Sequence, residues 1–129
     1  MSNPFLSALI ALSLSSLLLA ADPPKEKFED IRARARQMGE TDEGKVYEKE
    51  FSKAVSKPMQ AALEECTKDT NPPYIVNIVF VIGADGKVQR LVPAPEETVS
   101  ARVAKKLNDL KLPKPPKANW MVSVNIAIK

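Results

Sequence analysis

Tyr74-Ile75-Val76-Asn77-Ile78-Val79-Phe80-Val81-Ile82, followed by Gly83-Ala84-Asp85-Gly86-Lys87-Val88, is the stretch on which the fold turns. Successive side chains of a strand point to opposite faces, so Val76, Ile78, Phe80 and Ile82 share one face and Ile75, Asn77, Val79 and Val81 the other. A strand that is apolar on both faces belongs in the middle of a sheet. Gly83 to Gly86 is turn chemistry, because glycine accepts positive φ at no steric cost, and it predicts a hairpin into a second strand over Lys87 to Val92. That strand is shorter and more polar. Pro93 and Pro95 stop it, since proline donates nothing to a ladder, and it reads as an edge.

Downstream, Glu96 and Glu97 suit the positive end of a helix whose Val99, Val103, Leu107 and Leu110 form one stripe, with Lys105, Lys106 and Lys111 toward its negative end. After Leu112-Pro113-Lys114-Pro115-Pro116, an extended linker, the residues Trp120, Val122, Val124, Ile126 and Ile128 alternate with Met121, Ser123, Asn125 and Ala127, as in a half-buried final strand. A helical crossover makes the second and third strands parallel, with a right-handed path. Upstream, Thr41-Asp42-Glu43 caps a long helix carrying Tyr47, Phe51, Val55, Met59, Leu63 and Cys66 at helical spacing. Pro58 removes a backbone donor inside it, so the helix either kinks there or restarts with Ser56 as cap. Asn71-Pro72-Pro73 ends it. The expected fold is α+β: a three-stranded antiparallel or mixed sheet in the order 2-1-3, covered by two helices.

Residues 1–21 contain no Asp, Glu, Lys or Arg. Phe5 to Leu19 is an apolar run, and Ala20-Ala21 before Asp22-Pro23-Pro24 offers small residues for cleavage, so the segment is expected to be an export signal or a retained N-terminal anchor. The corresponding location is periplasmic or secreted, or tethered to the inner membrane. Residues 22–45 alternate charge signs heavily and read as a charged linker. Phe28, Ile31, Ala35 and Met38 recur within it at the spacing of a short helix, which Gly39 would end. Residues 46–129 are then the folded domain.

The chain of 129 residues has 19 Lys and Arg against 16 Asp and Glu, no histidine and one cysteine. Without histidine there is no imidazole base, and a single cysteine builds neither a thiolate zinc centre nor an intrachain disulfide. Neighbouring carboxylates such as Glu64-Glu65 and Glu96-Glu97 diverge on a helix and do not share a site. No catalytic residue, cofactor or metal ligand is therefore assigned, and an enzyme is not expected. From residue 86 onward nine basic side chains face three acidic ones. They lie on a helix and a proline-rich turn with Trp120 as the sole aromatic, which is a solvated face rather than a nucleic-acid stripe.

The strand-turn run Val-Asn-Ile-Val-Phe-Val-Ile-Gly-Ala-Asp-Gly-Lys-Val at 76–88 resembles the C-terminal domain of TonB-type proteins. The shared features are Asp85-Gly86 at the hairpin, Val88 two residues on, then a helix, then Leu110, Leu112, Pro113 and Pro115 before the last strand. Glu64-Glu65-Cys66 before the first strand is closer to the gliding-motility branch of that superfamily. The resemblance covers roughly residues 46–128 and implies a periplasmic binding domain, whose last strand in TonB itself pairs with an extended segment of an outer-membrane receptor. The second cysteine of the motility branch and the histidine of energy-transducing members are both missing here, which speaks against a coupler of proton-motive force.

The expected function is a non-catalytic envelope module that recognises an extended peptide, or a second copy of itself, through the edge of its last strand. Trp120, Met121, Val122, Ser123, Val124, Asn125 and Ile126 are the candidate partner-binding residues. On this expectation Val124→Pro abolishes association and leaves the monomer folded. The alternative is a secreted structural or inhibitory domain that meets a protein through its basic helix and proline-rich loop. Neither reading involves nucleic acid, and a membrane enters only through residues 4–21 if the leader is retained.

Overall fold

The structure, a computed structural model, describes residues 26–129, so the leader expected at 1–21 lies outside the described residues. Two helices come first, α1 (Phe28–Glu40) and α2 (Asp42–Cys66), followed by β1 (Tyr74–Ile82), β2 (Val88–Pro93), α3 (Thr98–Lys106) and β3 (Trp120–Ile128). The sheet order is β2-β1-β3, with β1 antiparallel to both neighbours, so β2 and β3 run the same way on its two flanks. This is the expected α+β fold and strand order. No helix among the described residues is long and apolar enough to cross a membrane.

The hairpin follows from its turn residues. Gly83 N–H donates to Lys87 O and Gly86 N–H to Gly83 O, both at 2.9 Å, while Asp85 Oδ1 accepts from Lys87 N–H at 3.0 Å. Gly86 has φ +88°, and a Cβ there would collide with Leu112 O, which closes on the turn because Leu112 N–H donates to Gly86 O. Only glycine meets both conditions.

The two faces of β1 carry two cores. Val76, Ile78, Phe80 and Ile82 pack against Tyr47, Phe51, Val55 and Met59 of α2 and Val99 and Val103 of α3. Phe51 and Phe80 meet edge-on at 5.1 Å, an arrangement that adds about 0.5–1.5 kcal/mol beyond area burial. Val79, Val81 and Met121 form the second core with Ile31 and Ala35 of α1. Three helices therefore cover the sheet rather than two, and the segment read from its charges as a linker contributes a packed layer. Its polar residues hide an apolar stripe of one residue per turn, enough to seal the second face of a central strand.

α2 runs unbroken through Pro58, with neither restart nor new cap, and the Ser56 hydroxyl donates to Ser52 O at 2.5 Å. Its start is as expected, with Thr41 Oγ1 accepting from Gly44 N–H at 3.0 Å. α3 starts directly after Glu97, which lies at the positive end of the helix as expected, but its side chain makes no capping hydrogen bond to the helix backbone. The Glu97 carboxylate instead accepts from Asn77 Nδ2 at 3.0 Å and from Ser100 Oγ at 3.0 Å, while Ser100 Oγ accepts from Asn77 N–H at 2.9 Å. Ser100 thus completes the edge of β1 where β2 has ended.

Candidate functional site at the outer edge of β3

The hydrogen bonds at Asn77 settle which way each strand residue turns its amide. Asn77 N–H goes to Ser100 and Asn77 O accepts from Ala94 N–H at 3.0 Å, so both groups face the β2 side. Backbone groups alternate along an antiparallel strand, hence Tyr74, Val76, Ile78, Phe80 and Ile82 turn toward β3. Their register partners Ile128, Ile126, Val124, Val122 and Trp120 reciprocate. Met121, Ser123, Asn125 and Ala127 turn outward, away from the sheet. One contact checks this parity independently, since Met121 N–H points to Met38 Sδ at 3.3 Å. The N–H and C=O groups of Ser123, Asn125 and Ala127 take no backbone partner among the described residues.

Beside that edge runs a groove of about 530 Å³ between α2 and β3. Phe51, Val55, Met59, Val122, Val124 and Ile126 give it an apolar floor, and Glu48, Ser52, Ser56 and Gln60 a polar outer rim. The α2 positions follow from helical spacing, because the residues next to the buried stripe of Phe51, Val55 and Met59 must overhang the sheet margin.

The other edge is built differently. β2 ends in Pro93, carries Arg90 with Lys87 just before it, and is thrown out of register between Val81 and Ile82. Charge, proline and a bulge are the devices that keep an edge from pairing. β3 has no charged residue and no proline from Trp120 to Ile128, and its pairing to β1 is regular throughout.

The structure divides the candidate set. Trp120, Met121 and Val122 bury their side chains in the cores, Trp120 meeting Tyr47 edge-on at 6.2 Å, and of the three only Val122 also borders the groove. Ser123, Val124, Asn125 and Ile126 remain at least partly accessible, and Ala127 joins them through its outward amide. The Val124→Pro expectation is corrected: Val124 N–H faces Ile78, so proline there breaks the internal ladder, whereas Asn125→Pro removes only an outward donor. Helical spacing in the sequence places the apolar α2 residues and Met38 on stripes, but that they border this edge is decided by packing and is not written in the spacing.

Two of the three basic side chains on the helix of the alternative reading already have ion-pair partners. Lys106 Nζ lies 2.7 Å from Glu65 Oε1, and Arg102 Nη1 lies 3.2 Å from Asp69 Oδ1, both fastening α3 to the end of α2. The hydrogen bond and charge of Lys106 hold the Glu65 carboxyl below its ordinary range. Burial pushes the Cys66 thiol up, which disfavours the thiolate a reactive cysteine needs. Among the described residues there is no group of carboxylate or thiol side chains placed to hold a metal ion. No family model, curated protein or solved structure matches the chain.

Proposed function

We propose that this chain is a non-catalytic binding module of the cell envelope, which takes an extended segment of another protein as a fourth strand beside β3. One observation carries the reading: three successive outward amides, at Ser123, Asn125 and Ala127, have no backbone partner among the described residues along a regularly paired, uncharged strand with an apolar groove at its side. Main-chain hydrogen bonds would supply affinity, and alternate side chains of the incoming strand would enter the groove and supply selectivity. Apolar residues at every second position suit the floor formed by Val55, Met59, Val124 and Ile126. The rim of Glu48, Ser52, Ser56 and Gln60 is polar, unlike the apolar surface a permanent dimer buries, which favours a transient extended ligand over a second copy. The charge-free apolar segment at 1–21, read as a leader, and the resemblance to TonB-type C-terminal domains are the grounds for placing the module in the envelope.

The test is titration of the full chain with a soluble peptide alternating valine and threonine between terminal lysines, followed by backbone amide exchange. Slowed exchange at Ser123, Asn125 and Ala127, abolished by Asn125→Pro and indifferent to Lys105→Glu, is the expected result. Protection along β2 instead, or binding unchanged by Asn125→Pro, overturns the reading. Self-association without peptide that protects the same three amides identifies a second copy as the occupant.

A further inference from the structure

The edge of β3 has four outward residues but only three open ones, and the exception is made by a single side chain. Met38 Sδ sits 3.3 Å from Met121 N–H, in the place where the carbonyl of an added strand would lie. Among the described residues Met38 is also the one partly buried side chain packed against both cores, so it wraps around the sheet margin from the α1 face to the α2 face. Its backbone is held firmly. Thr41 Oγ1 donates to Met38 O at 2.7 Å and Thr41 N–H at 3.4 Å, while a Cβ on the buried Gly44 would collide with Met38 O, so the α1–α2 junction closes directly on this residue.

We infer that Met38 is the stop that sets the register of the docked strand, closing the edge at Met121 and making Ser123 the first residue able to pair. This rests on the docking role of β3. A thioether accepts a hydrogen bond weakly, yet it satisfies a donor that would otherwise be left beside a buried side chain. The consequence is selectivity in length: an incoming strand gains pairing over Ser123 to Ala127 only, and residues extending past that span toward Trp120 meet the Met38 side chain.

Two variants separate the roles of bulk and acceptor. Amide exchange at Met121 in the full chain should be slower than at Ser123, Asn125 and Ala127, and Met38→Leu, which keeps the bulk, should speed Met121 by about twofold, the factor set by a hydrogen bond at the weak end of the net range. With the valine–threonine peptide bound, cross-strand contacts should begin at Ser123 in the wild type and in Met38→Leu. In Met38→Ala they should extend to Met121. Contacts reaching Met121 in the wild type, or an unchanged register in Met38→Ala, overturn the stop while leaving docking intact. A peptide that contacts none of Ser123, Asn125 and Ala127 removes the docking reading itself, and the stop with it.

Discussion

Proline at two adjacent positions of β3 gives opposite outcomes if the amide directions derived above are right. Val124 N–H faces Ile78, whose side chain and surroundings are closed to solvent. Val124→Pro deletes that donor, leaves the Ile78 carbonyl buried without a partner, and sets a pyrrolidine ring against β1. An unsatisfied buried carbonyl costs about 1–3 kcal/mol, and with the disturbed ladder the total comes to roughly 2–4 kcal/mol. Asn125 is exposed and its N–H has no backbone partner among the described residues, so Asn125→Pro should cost under about 1 kcal/mol, the extended conformation demanded of Val124 being one it already has. For a small domain whose urea slope is about 1–3 kcal/mol per molar, the denaturation midpoint should fall by about 1–2 M for Val124→Pro and by less than about 0.5 M for Asn125→Pro. Equal losses, or a larger one at Asn125, would show that the outward set is Val122, Val124 and Ile126. The docking edge would then have to be redrawn.

Three further measurements probe the scaffold. Ser100→Ala, at a fully buried position, strips the Asn77 N–H of its acceptor and Glu97 of a donor, and should lower stability by about 1–3 kcal/mol, read as a drop in Tm of several degrees or more. Gly44→Ala forces a methyl group against Met38 O at the α1–α2 junction and should cost at least about 1–3 kcal/mol, with loss of the Met121 amide protection as its local signature. Burial pushes the Tyr47 phenol from 10.0 up to about 12, where its hydroxyl donates to Pro113 O at 2.7 Å. The folded state therefore keeps a proton that the unfolded state releases near pH 10. Stability from this group is complete below pH 10 and is lost as pH rises to about 12, and Tyr47→Phe should flatten alkaline unfolding across that window.

Much of the architecture was legible because it rests on short-range chemistry. The two-residue alternation of 74–82, the glycines of the turn and the prolines after Val92 are each readable on their own, and together they dictate strand order. The second layer was harder to read. Phe28, Ile31, Ala35 and Met38 are spaced as a helix, but mean polarity suggested a spacer, and only the largely apolar second face of β1, with Ile75, Val79 and Val81, indicated that something must cover it. Glu97 lies at the positive end of α3 as read, but that its carboxylate also serves Asn77 and Ser100 is set by tertiary proximity that spacing does not encode. Pro58 left open a kink or a restart capped by Ser56, and the helix runs on through it as one element without the restart. The candidate edge was located from the sequence, but which residues present free amides depends on register with β1, and the buried fate of Trp120 to Val122 depends on α1 and α2.

The two flanks of β1 are filled at different moments of synthesis. β2 follows after a tight turn, whereas β3 must wait for α3 and the proline-rich segment to emerge. In that interval the growing chain shows a long, uncharged, hydrophobic flank on β1, complementary to the β3 of any sibling molecule already made. An exchange of last strands between nascent neighbours would yield interlocked pairs with the same ladder as the monomer. Such pairs would form during refolding at high concentration and part only as fast as β1 releases β3, a kinetic hazard inherent in a central strand closed from its far side last.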